Sequence, residues 1–170
     1  MKKIIVTGAT KGIGKAIVEI FAKEGFDIAV CSRTQADLEQ LRKEINLSYP
    51  DCQLLIKEAD MSKKTEVIAF ADFVKANWET VDILVNNAGA YIPGDVHNEE
   101  DGVLETLIET NLYSAYYLSR AVLPLMLAKK QGHVFNICSI ASLLAYPNAG
   151  SYSITKFAML GFSKVLREEM

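Results

Sequence analysis

Short apolar runs alternate along the chain with longer segments in which apolar residues recur at helical spacing. The runs are brief and rich in Ile, Val and Leu, as expected of strands buried on both faces of a parallel sheet. Strands are predicted at residues 3–7, 27–32, 53–58, 82–85 and 132–139. Helices are predicted at residues 14–24, 34–49, 63–78, 101–128 and 152–170. The second of these starts with Thr34-Gln35-Ala36-Asp37, which is typical of a capping box. Because strands that alternate with such helices need right-handed crossovers, the pattern predicts an α/β fold with a doubly wound parallel sheet.

The composition is that of a single globular domain covering residues 1–170. Half of the residues are hydrophobic and only 10 are Gly and 4 Pro, which excludes a disordered or fibrous chain. The formal net charge of -3 offers no basic surface for nucleic acid or an anionic membrane. A small-molecule partner is therefore predicted.

The cysteines and the hydropathy indicate a cytoplasmic protein. The three cysteines are widely separated and form no Cys-x-x-Cys pair, so neither a disulfide framework nor a zinc site is indicated. The longest apolar stretch, residues 112–128, is interrupted by Arg120 and Pro124. It is also shorter than the roughly 20 residues that a membrane-spanning helix needs. We expect no metal site and no membrane partner.

The last predicted helix contains no residue that would end it. Helices commonly stop at Gly or Asn, or shortly before Pro, and the closing residues 167–170 include none of these. The fifth strand would also stand at a sheet edge, where a doubly wound fold normally continues. The sequence is therefore interpreted as truncated after this helix, with the C-terminal part of the fold missing.

A glycine-rich turn joins the first strand to the first helix. Bare backbone N–H groups at such a turn, together with the helix dipole, can hold a pyrophosphate. The spacing Gly-x-x-x-Gly-x-Gly differs from the Gly-x-Gly-x-x-Gly fingerprint, so a plain tight turn is an open alternative. The candidate cofactor-binding residues here are Gly8, Thr10, Lys11, Gly12, Ile13 and Gly14.

The second strand ends at Ser32 and Arg33, where NAD-binding proteins usually carry a carboxylate that accepts the ribose 2'-hydroxyl. No acid is present there. Arg33, with Lys11 from the glycine-rich turn, would instead neutralise a 2'-phosphate, which suits the planar fork of a guanidinium. Two solvated surface cations are the alternative. The sequence therefore predicts NADP(H) as the cofactor.

Tyr152 and Lys156 lie four residues apart on a predicted helix and so share one face. An ammonium beside a phenol stabilises the phenolate, which makes the phenol usable as an acid or a base. Ser139 ends the fifth predicted strand, and open α/β sheets bind their ligands at the carboxyl ends of strands. A surface contact for the Tyr–Lys pair, and a turn or cap role for Ser139, are the open alternatives.

In combination, these motifs make the whole chain resemble the short-chain dehydrogenase/reductase family. The matching pieces occur in the family's order and on the expected elements. They are Thr7-Gly8-x-x-x-Gly12-Ile13-Gly14, Asp60, Asn86-Asn87-Ala88-Gly89, Asn111, Ser139 and Tyr152-x-x-x-Lys156. The resemblance implies a Rossmann-type fold and hydride transfer between NADP(H) and a carbonyl or alcohol substrate.

The resemblance also implies roles for the matching residues. Tyr152 would protonate the carbonyl oxygen, and Ser139 would hydrogen-bond and orient that oxygen. Lys156 would bind the nicotinamide ribose, where Tyr152 also lies, and Asn111 would hold a water of the proton relay. The other implied cofactor contacts are Ser32, Arg33, Asp60, Met61, Asn87, Ala88 and Gly89, with Asp60 and Met61 at the adenine. A structural role for the Asn-rich strand end is the alternative.

The substrate is left open by the resemblance. Motifs of this kind occur in 3-oxoacyl-carrier-protein reductases, and residues 32–39 are similar to the sepiapterin reductase branch. Family members commonly form homodimers or homotetramers through the two helices at residues 101–128 and 152–170. A non-catalytic NADP(H) sensor or interaction module is the alternative function, and a fragment of a longer reductase is a third interpretation.

Overall fold

A computed structural model describes the whole chain, Met1–Met170. The strands are β1 (Lys3–Thr7), β2 (Asp27–Ser32), β3 (Leu54–Glu58), β4 (Ile83–Asn86) and β5 (His133–Asn136). The helices are α1 (Gly12–Lys23), α2 (Gln35–Ser48), α3 (Lys64–Asn77), α4 (Val103–Ile108), α5 (Ser114–Ala128) and α6 (Gly150–Glu169). A π-helical turn, Glu109–Tyr113, joins α4 to α5, and a 3-10 turn, Ile140–Ser142, precedes α6. None of the helices is both long and apolar enough to cross a bilayer.

The five strands form one sheet in the order β3-β2-β1-β4-β5, and every pair is parallel. In this register Ile5 of β1 lies opposite Ala29 of β2 and Leu84 of β4. The chain leaves β1 toward β2 and later returns to the other side of β1 as β4. This reversal is the topological switch point at which open α/β sheets form a ligand crevice. The predicted Rossmann-type doubly wound fold is confirmed.

Strand alternation sends apolar side chains to both faces of the sheet. Ile4, Val6 and Val30 pack with α1 and α2 on one face. Ile5 and Leu84 pack with α3 and α5 on the other. Because both faces are covered, the strands carry continuous apolar runs, and the polar groups at their carboxyl ends are left to form the site.

The predicted fifth strand is too long at both ends. Strand β5 covers only His133–Asn136, and one further ladder bond is donated by the N–H of Ile137 to the carbonyl of Asn86. The backbone N–H of Ser139 is instead bonded to Oγ of Ser142 (3.1 Å), and Ser139 becomes the N-cap of the 3-10 turn. This local capping box takes the chain out of the ladder before residue 139.

Helix α2 starts where the sequence predicts, but the predicted capping box does not form there. Thr34 is the N-cap, yet its side chain makes no capping hydrogen bond. Asp37, the expected partner in a capping box, faces Lys11 of the glycine-rich turn, with Nζ and Oδ2 3.2 Å apart. The prediction of a capping box here is wrong, because a cation from another element attracts the carboxylate.

Candidate active site

The glycine-rich turn presents free hydrogen-bond donors at the start of α1. None of the N–H groups from Thr10 to Gly14 donates a hydrogen bond within the protein. Gly8 and Gly12 have φ of +61° and +55°, the left-handed region that other residues adopt only with strain. Ile13, a large apolar residue, is 62% exposed on this turn. Free donors at the positive end of a helix dipole form an anion-binding surface.

Gly14 is where the turn packs most tightly against the rest of the site. A Cβ on Gly14 would lie 2.4 Å from the carbonyl oxygen of Gly8 and 2.6 Å from Nδ2 of Asn87. Asn87 in turn donates from Nδ2 to the carbonyls of Thr7 (2.9 Å) and Gly8 (3.0 Å). The backbone N–H groups of Asn87 and Ala88 both donate to Oγ1 of Thr7. The end of β4 and the glycine-rich turn are thus fastened together.

The polar end of β2 lies beside the same turn. Oγ1 of Thr10 and Oγ of Ser32 are 3.3 Å apart, which brings two of the predicted cofactor contacts together. The next residue, Arg33, is exposed. The predicted pair of cations is therefore present at this edge, with one addition: Lys11 already has a carboxylate partner in Asp37.

Asp60 follows β3 at the same edge of the sheet. Its Oδ1 accepts hydrogen bonds from the backbone N–H and the hydroxyl of Ser62. Burial raises the pKa of the Asp60 carboxyl, but these bonds and the charges of Lys63 and Arg33 outweigh it and hold the pKa below its usual value. The Met61 side chain is buried in the core. A ligand contact from Met61 would therefore come from its backbone.

Asn111 lies fully buried in the π-helical turn between α4 and α5. Its side chain accepts from the N–H of Ala90 (2.7 Å) and donates to the carbonyl of the same residue (2.9 Å). It also donates to Oγ1 of Thr155 (3.1 Å), whose hydroxyl donates to the carbonyl of Tyr152. Turns of this type are frequent at functional sites, because they widen the helix locally. Here Asn111 ties the loop after β4 to helix α6.

Lys156 is buried, with 7% of its surface exposed. Its Nζ donates to the carbonyl of Ile137 (2.9 Å) and lies 5.8 Å from the centre of the Tyr152 ring. Burial lowers the pKa of the Lys156 ammonium, and neighbouring Cys138 opposes that change. A Cβ on Gly89 would come within 3.8 Å of Nζ and 3.2 Å of Oδ1 of Asn111. The absence of a side chain at Gly89 therefore leaves both polar groups open from that side.

The two remaining predicted catalytic residues carry free O–H groups. Oη of Tyr152 makes no hydrogen bond within the protein, and the side chain is half-buried on α6. Oγ of Ser139 accepts from the N–H of Ala141 (3.2 Å), so its own proton is free to be donated. Ser139 is thus a cap residue, as the alternative interpretation held, and it retains a donor for a ligand.

The fold brings most of the predicted residues to one edge of the sheet. Asn111, Tyr152 and Lys156 are joined through Thr155, Gly89 and the loop around Ile137. Asn87, two residues before Gly89, links the glycine-rich turn to this group by donating from its side chain to the carbonyl of Gly8. A cavity of about 790 Å³ lies elsewhere, along β5 and the end of α6, and none of the four predicted catalytic residues lines it.

Sequence reasoning missed two residues of this site. Asp37 was assigned to helix capping, and nothing local indicated its partner on another element. Tyr91, two residues after the Asn-Asn-Ala-Gly motif, packs edge-on against the Tyr152 ring with centroids 4.9 Å apart. Its position next to that motif was the one available signal.

The site fits a nicotinamide dinucleotide. The free N–H groups of the turn, together with the backbone conformation that the positive φ of Gly8 and Gly12 gives it, form a cradle of donors that suits a phosphate. A Cβ on Gly14 would fill the space against the end of β4. The exposed Arg33 and Lys11 stand at the polar end of β2, where a ribose phosphate is recognised in such folds.

Known dehydrogenases match almost the entire chain. The NADP-dependent 3-hydroxy acid dehydrogenase YdfG of Escherichia coli (strain K12) is 34% identical, covering 98% of this chain and 66% of that protein. A 3alpha-hydroxysteroid dehydrogenase of Mediterraneibacter gnavus is 30% identical, covering 99% of this chain and 68% of its own length. The chain spans 54 to 68% of the length of curated relatives that it matches.

Solved structures agree with the sequence comparison. A metagenomic short-chain oxidoreductase in complex with NADP superposes with a TM-score of 0.92 at 31% identity, covering 99% of this chain and 76% of that one. The family model described as short chain dehydrogenase matches residues 2–170. The chain belongs to the short chain dehydrogenase family.

Proposed function

We propose that this chain carries the cofactor-binding and catalytic part of an oxidoreductase that transfers hydride between NADP(H) and a carbonyl or alcohol substrate. The observation that carries the proposal is the free phenol of Tyr152 on the helix that also holds the buried Lys156 ammonium. YdfG is NADP-dependent, and the metagenomic relative contains NADP. These relatives favour NADP(H) for this chain.

The proposed cofactor contacts follow the edge of the sheet. The N–H groups of Thr10 to Gly14 would bind the pyrophosphate. Ser32, Arg33 and Lys11 would bind the 2'-phosphate, and Asp60 with the backbone of Met61 would contact the adenine. Ala88 and Gly89 would lie along the adenosine and nicotinamide halves, while Asn87 would hold the turn in place through its two backbone bonds.

Bound NADPH supplies the hydride to the carbonyl carbon. Oη of Tyr152 would donate its proton to the carbonyl oxygen. This proton is available because Oη makes no hydrogen bond within the protein. The free hydroxyl of Ser139 would donate a hydrogen bond to the same oxygen and fix its position. In the reverse direction Tyr152 would take the proton of the alcohol.

Lys156 and Asn111 would support this proton transfer. The Lys156 ammonium, held by the carbonyl of Ile137, would favour the phenolate that Tyr152 becomes after donating its proton, and would bind the ribose hydroxyls. The side chain of Asn111 is committed to Ala90 and Thr155. A relay water would therefore bind at the widened backbone of the π-helical turn.

A substrate panel tests the proposed function. The purified chain is mixed with NADPH and with diketones, keto esters, 3-oxoacyl thioesters and pterins, and cofactor oxidation is followed by absorbance. The panel covers the 3-oxoacyl-carrier-protein reductase and sepiapterin reductase branches. Oxidation on at least one carbonyl is expected. Saturable NADPH binding without oxidation on any of them would favour a non-catalytic sensor.

Arg33→Ala should weaken NADPH binding far more than NADH binding. Only NADPH carries the 2'-phosphate, and a charge-assisted hydrogen bond of this kind contributes roughly 1.5–3 kcal/mol, or about 10- to 150-fold in affinity. Fluorescence titration of both cofactors measures the ratio. Equal losses for the two cofactors would show that Arg33 contacts something other than the 2'-phosphate.

Asp37→Asn should strengthen NADPH binding and leave NADH binding nearly unchanged. The substitution removes a negative charge 3.2 Å from Nζ of Lys11 and leaves that ammonium for the 2'-phosphate. Because an exposed ion pair is worth at most about 1 kcal/mol, the expected gain is about two- to fivefold. The same titration measures it. Weaker NADPH binding in this variant would mean that Asp37 orients Lys11 toward the phosphate.

We also propose that the chain forms a homodimer or homotetramer through α5 and α6. Exposed aromatic side chains occur on both helices, Tyr116 on α5 and Phe157 on α6, and Tyr113 is exposed in the π-helical turn that precedes α5. Aromatic residues of this kind are enriched at protein interfaces. Light scattering of the purified chain measures the assembly, and a mass of 18.8 kDa at all concentrations would exclude it.

A further inference from the structure

The segment Tyr91–Glu99, named the strap here, lies between β4 and α4 in the chain and contacts the residues that begin helix α6. The N–H of Gly94 donates to the carbonyl of Asn148 (3.3 Å), and the N–H of Gly150 donates to the carbonyl of Gly94 (2.9 Å). Gly94 and Ala149 form a parallel β-bridge. The strap is therefore attached by its backbone to the residues that begin α6.

The strap approaches α6 closely at Gly150, the first residue of the helix. A Cβ on Gly150 would lie 2.9 Å from the backbone nitrogen of Val96 and would push the strap away from the helix. Within the strap, a Cβ on Gly94 would lie 2.6 Å from Cγ of Glu99 and would displace that side chain. The contact between the two segments thus depends on the absence of a side chain at Gly150.

Tyr91, at the first position of the strap, contacts Tyr152 directly. The two rings meet edge to face, at 81° with centroids 4.9 Å apart. The hydroxyl of Tyr91 donates to the carbonyl of Asn148 (2.8 Å), which fixes the Tyr91 ring at its far end. The Tyr152 ring is therefore limited on one side by an aromatic wall that is itself anchored to the loop before α6.

Glu99, at the last position of the strap, caps the first turn of α6. The N-cap residue is Ala149, whose side chain has no acceptor for the free N–H groups of the helix. Glu99 supplies the acceptor from the strap. Its carboxylate accepts hydrogen bonds from the backbone N–H of Ser151 (3.0 Å) and from the Ser151 hydroxyl. A carboxylate at this end also interacts favourably with the helix dipole. Ser151 directly precedes Tyr152.

We propose that the strap is a positioning element for Tyr152: Tyr91 holds the phenol ring, and Glu99 fixes the helix turn from which Tyr152 projects. The Tyr91 hydroxyl is bonded to Asn148 and the Glu99 carboxylate to Ser151, so both residues act through Tyr152. This inference rests on the proposed function, because it assigns to the strap the orientation of the proposed acid.

Two matched pairs of variants of the whole chain test the proposal. Tyr91→Leu removes the ring contact, whereas Tyr91→Phe keeps the ring and removes only the bond to Asn148. Glu99→Ala removes the cap, whereas Glu99→Gln keeps an oxygen that accepts from Ser151. Glu100→Ala, at the neighbouring exposed glutamate, is the control for loss of charge in this segment. Urea unfolding of each variant establishes that it folds.

The first readout is turnover on a carbonyl substrate identified with the panel. Tyr91→Leu and Glu99→Ala should each lower kcat about tenfold, shift the pH profile of kcat and leave the KM for NADPH within about twofold of the original chain. Tyr91→Phe, Glu99→Gln and Glu100→Ala should stay close to the original kcat.

The second readout needs no turnover. Tyrosine labelled with ¹³C at Cζ gives a resonance for Tyr152, assigned by its absence in Tyr152→Phe, and its pH titration follows ionisation of the phenol. Tyr91→Leu and Glu99→Ala should displace this titration.

An undisplaced titration, or an unchanged kcat and pH profile, would overturn the proposal. A rise in substrate KM alone would also overturn it, because Tyr91 would then be a wall for the substrate. Failure of the proposed function would be recognised by a different result, namely turnover that survives Tyr152→Phe.

Discussion

Tyr152→Phe should abolish nearly all reduction of carbonyl substrates while leaving NADPH bound. The substitution keeps the ring against Tyr91 and removes only Oη, which makes no hydrogen bond within the protein. Packing should therefore be unchanged, and the loss should be that of the proton donor. General acid catalysis contributes about 10²- to 10⁴-fold, so kcat should fall by that factor. Steady-state NADPH oxidation measures it.

A second phenol provides the control for Tyr152→Phe. Tyr49 lies at the end of α2, outside the proposed site, and Tyr49→Phe removes the same hydroxyl group without touching the reaction. This variant should retain the original kcat. Turnover that survives Tyr152→Phe would contradict the assigned mechanism and leave the proton to another group or to water.

Gly14→Ala should both destabilise the fold and weaken NADPH binding. The new methyl group would lie 2.4 Å from a backbone oxygen of Gly8, so the glycine-rich turn or the end of β4 must move. Such overpacking costs typically about 1–3 kcal/mol in the free energy of unfolding. Because the moved turn carries the proposed phosphate donors, NADPH affinity should fall at least about tenfold, or 1.4 kcal/mol. Urea unfolding and fluorescence titration measure the two effects.

Gly161→Ala is the matched control for this substitution. Gly161 also lies within a helix, α6, but a Cβ there meets no atom within 4 Å. Alanine is the better helix former, so this variant should be more stable by roughly 0.4–1 kcal/mol and bind NADPH normally. A Gly14→Ala variant with unchanged stability and affinity would show that the turn does not depend on close approach at residue 14.

The sequence predicts the order and type of the elements well because the apolar pattern of a doubly wound sheet is local. Residues 27–32, for example, are buried on both faces and show the run that such a strand requires. Strand β5 was predicted too long because the residues after Asn136 remain apolar enough for a strand. The capping box between Ser139 and Ser142 ends the ladder. In the sequence, two serines three residues apart are a weaker indication than the apolar run that precedes them.

The candidate site shows the same division between local and distant information. Tyr152 and Lys156 could be paired from their spacing, because helix geometry places them on one face. The spacing could not show that the Lys156 ammonium bonds to the carbonyl of Ile137, nor that Tyr91 stands against the phenol. Asp37 illustrates the limit, since its partner Lys11 lies on another element. Contacts of this kind depend on the assembled fold.

The most direct test of the account is a fluorescence titration of this chain with NADPH and, in parallel, with NADH. The free N–H groups of the glycine-rich turn and the cations at the end of β2 predict saturable binding of both cofactors, with NADPH clearly the tighter. Equal affinity would contradict the assignment of Arg33 and Lys11. Binding of neither cofactor would contradict the central claim that this chain forms a competent NADP(H) site.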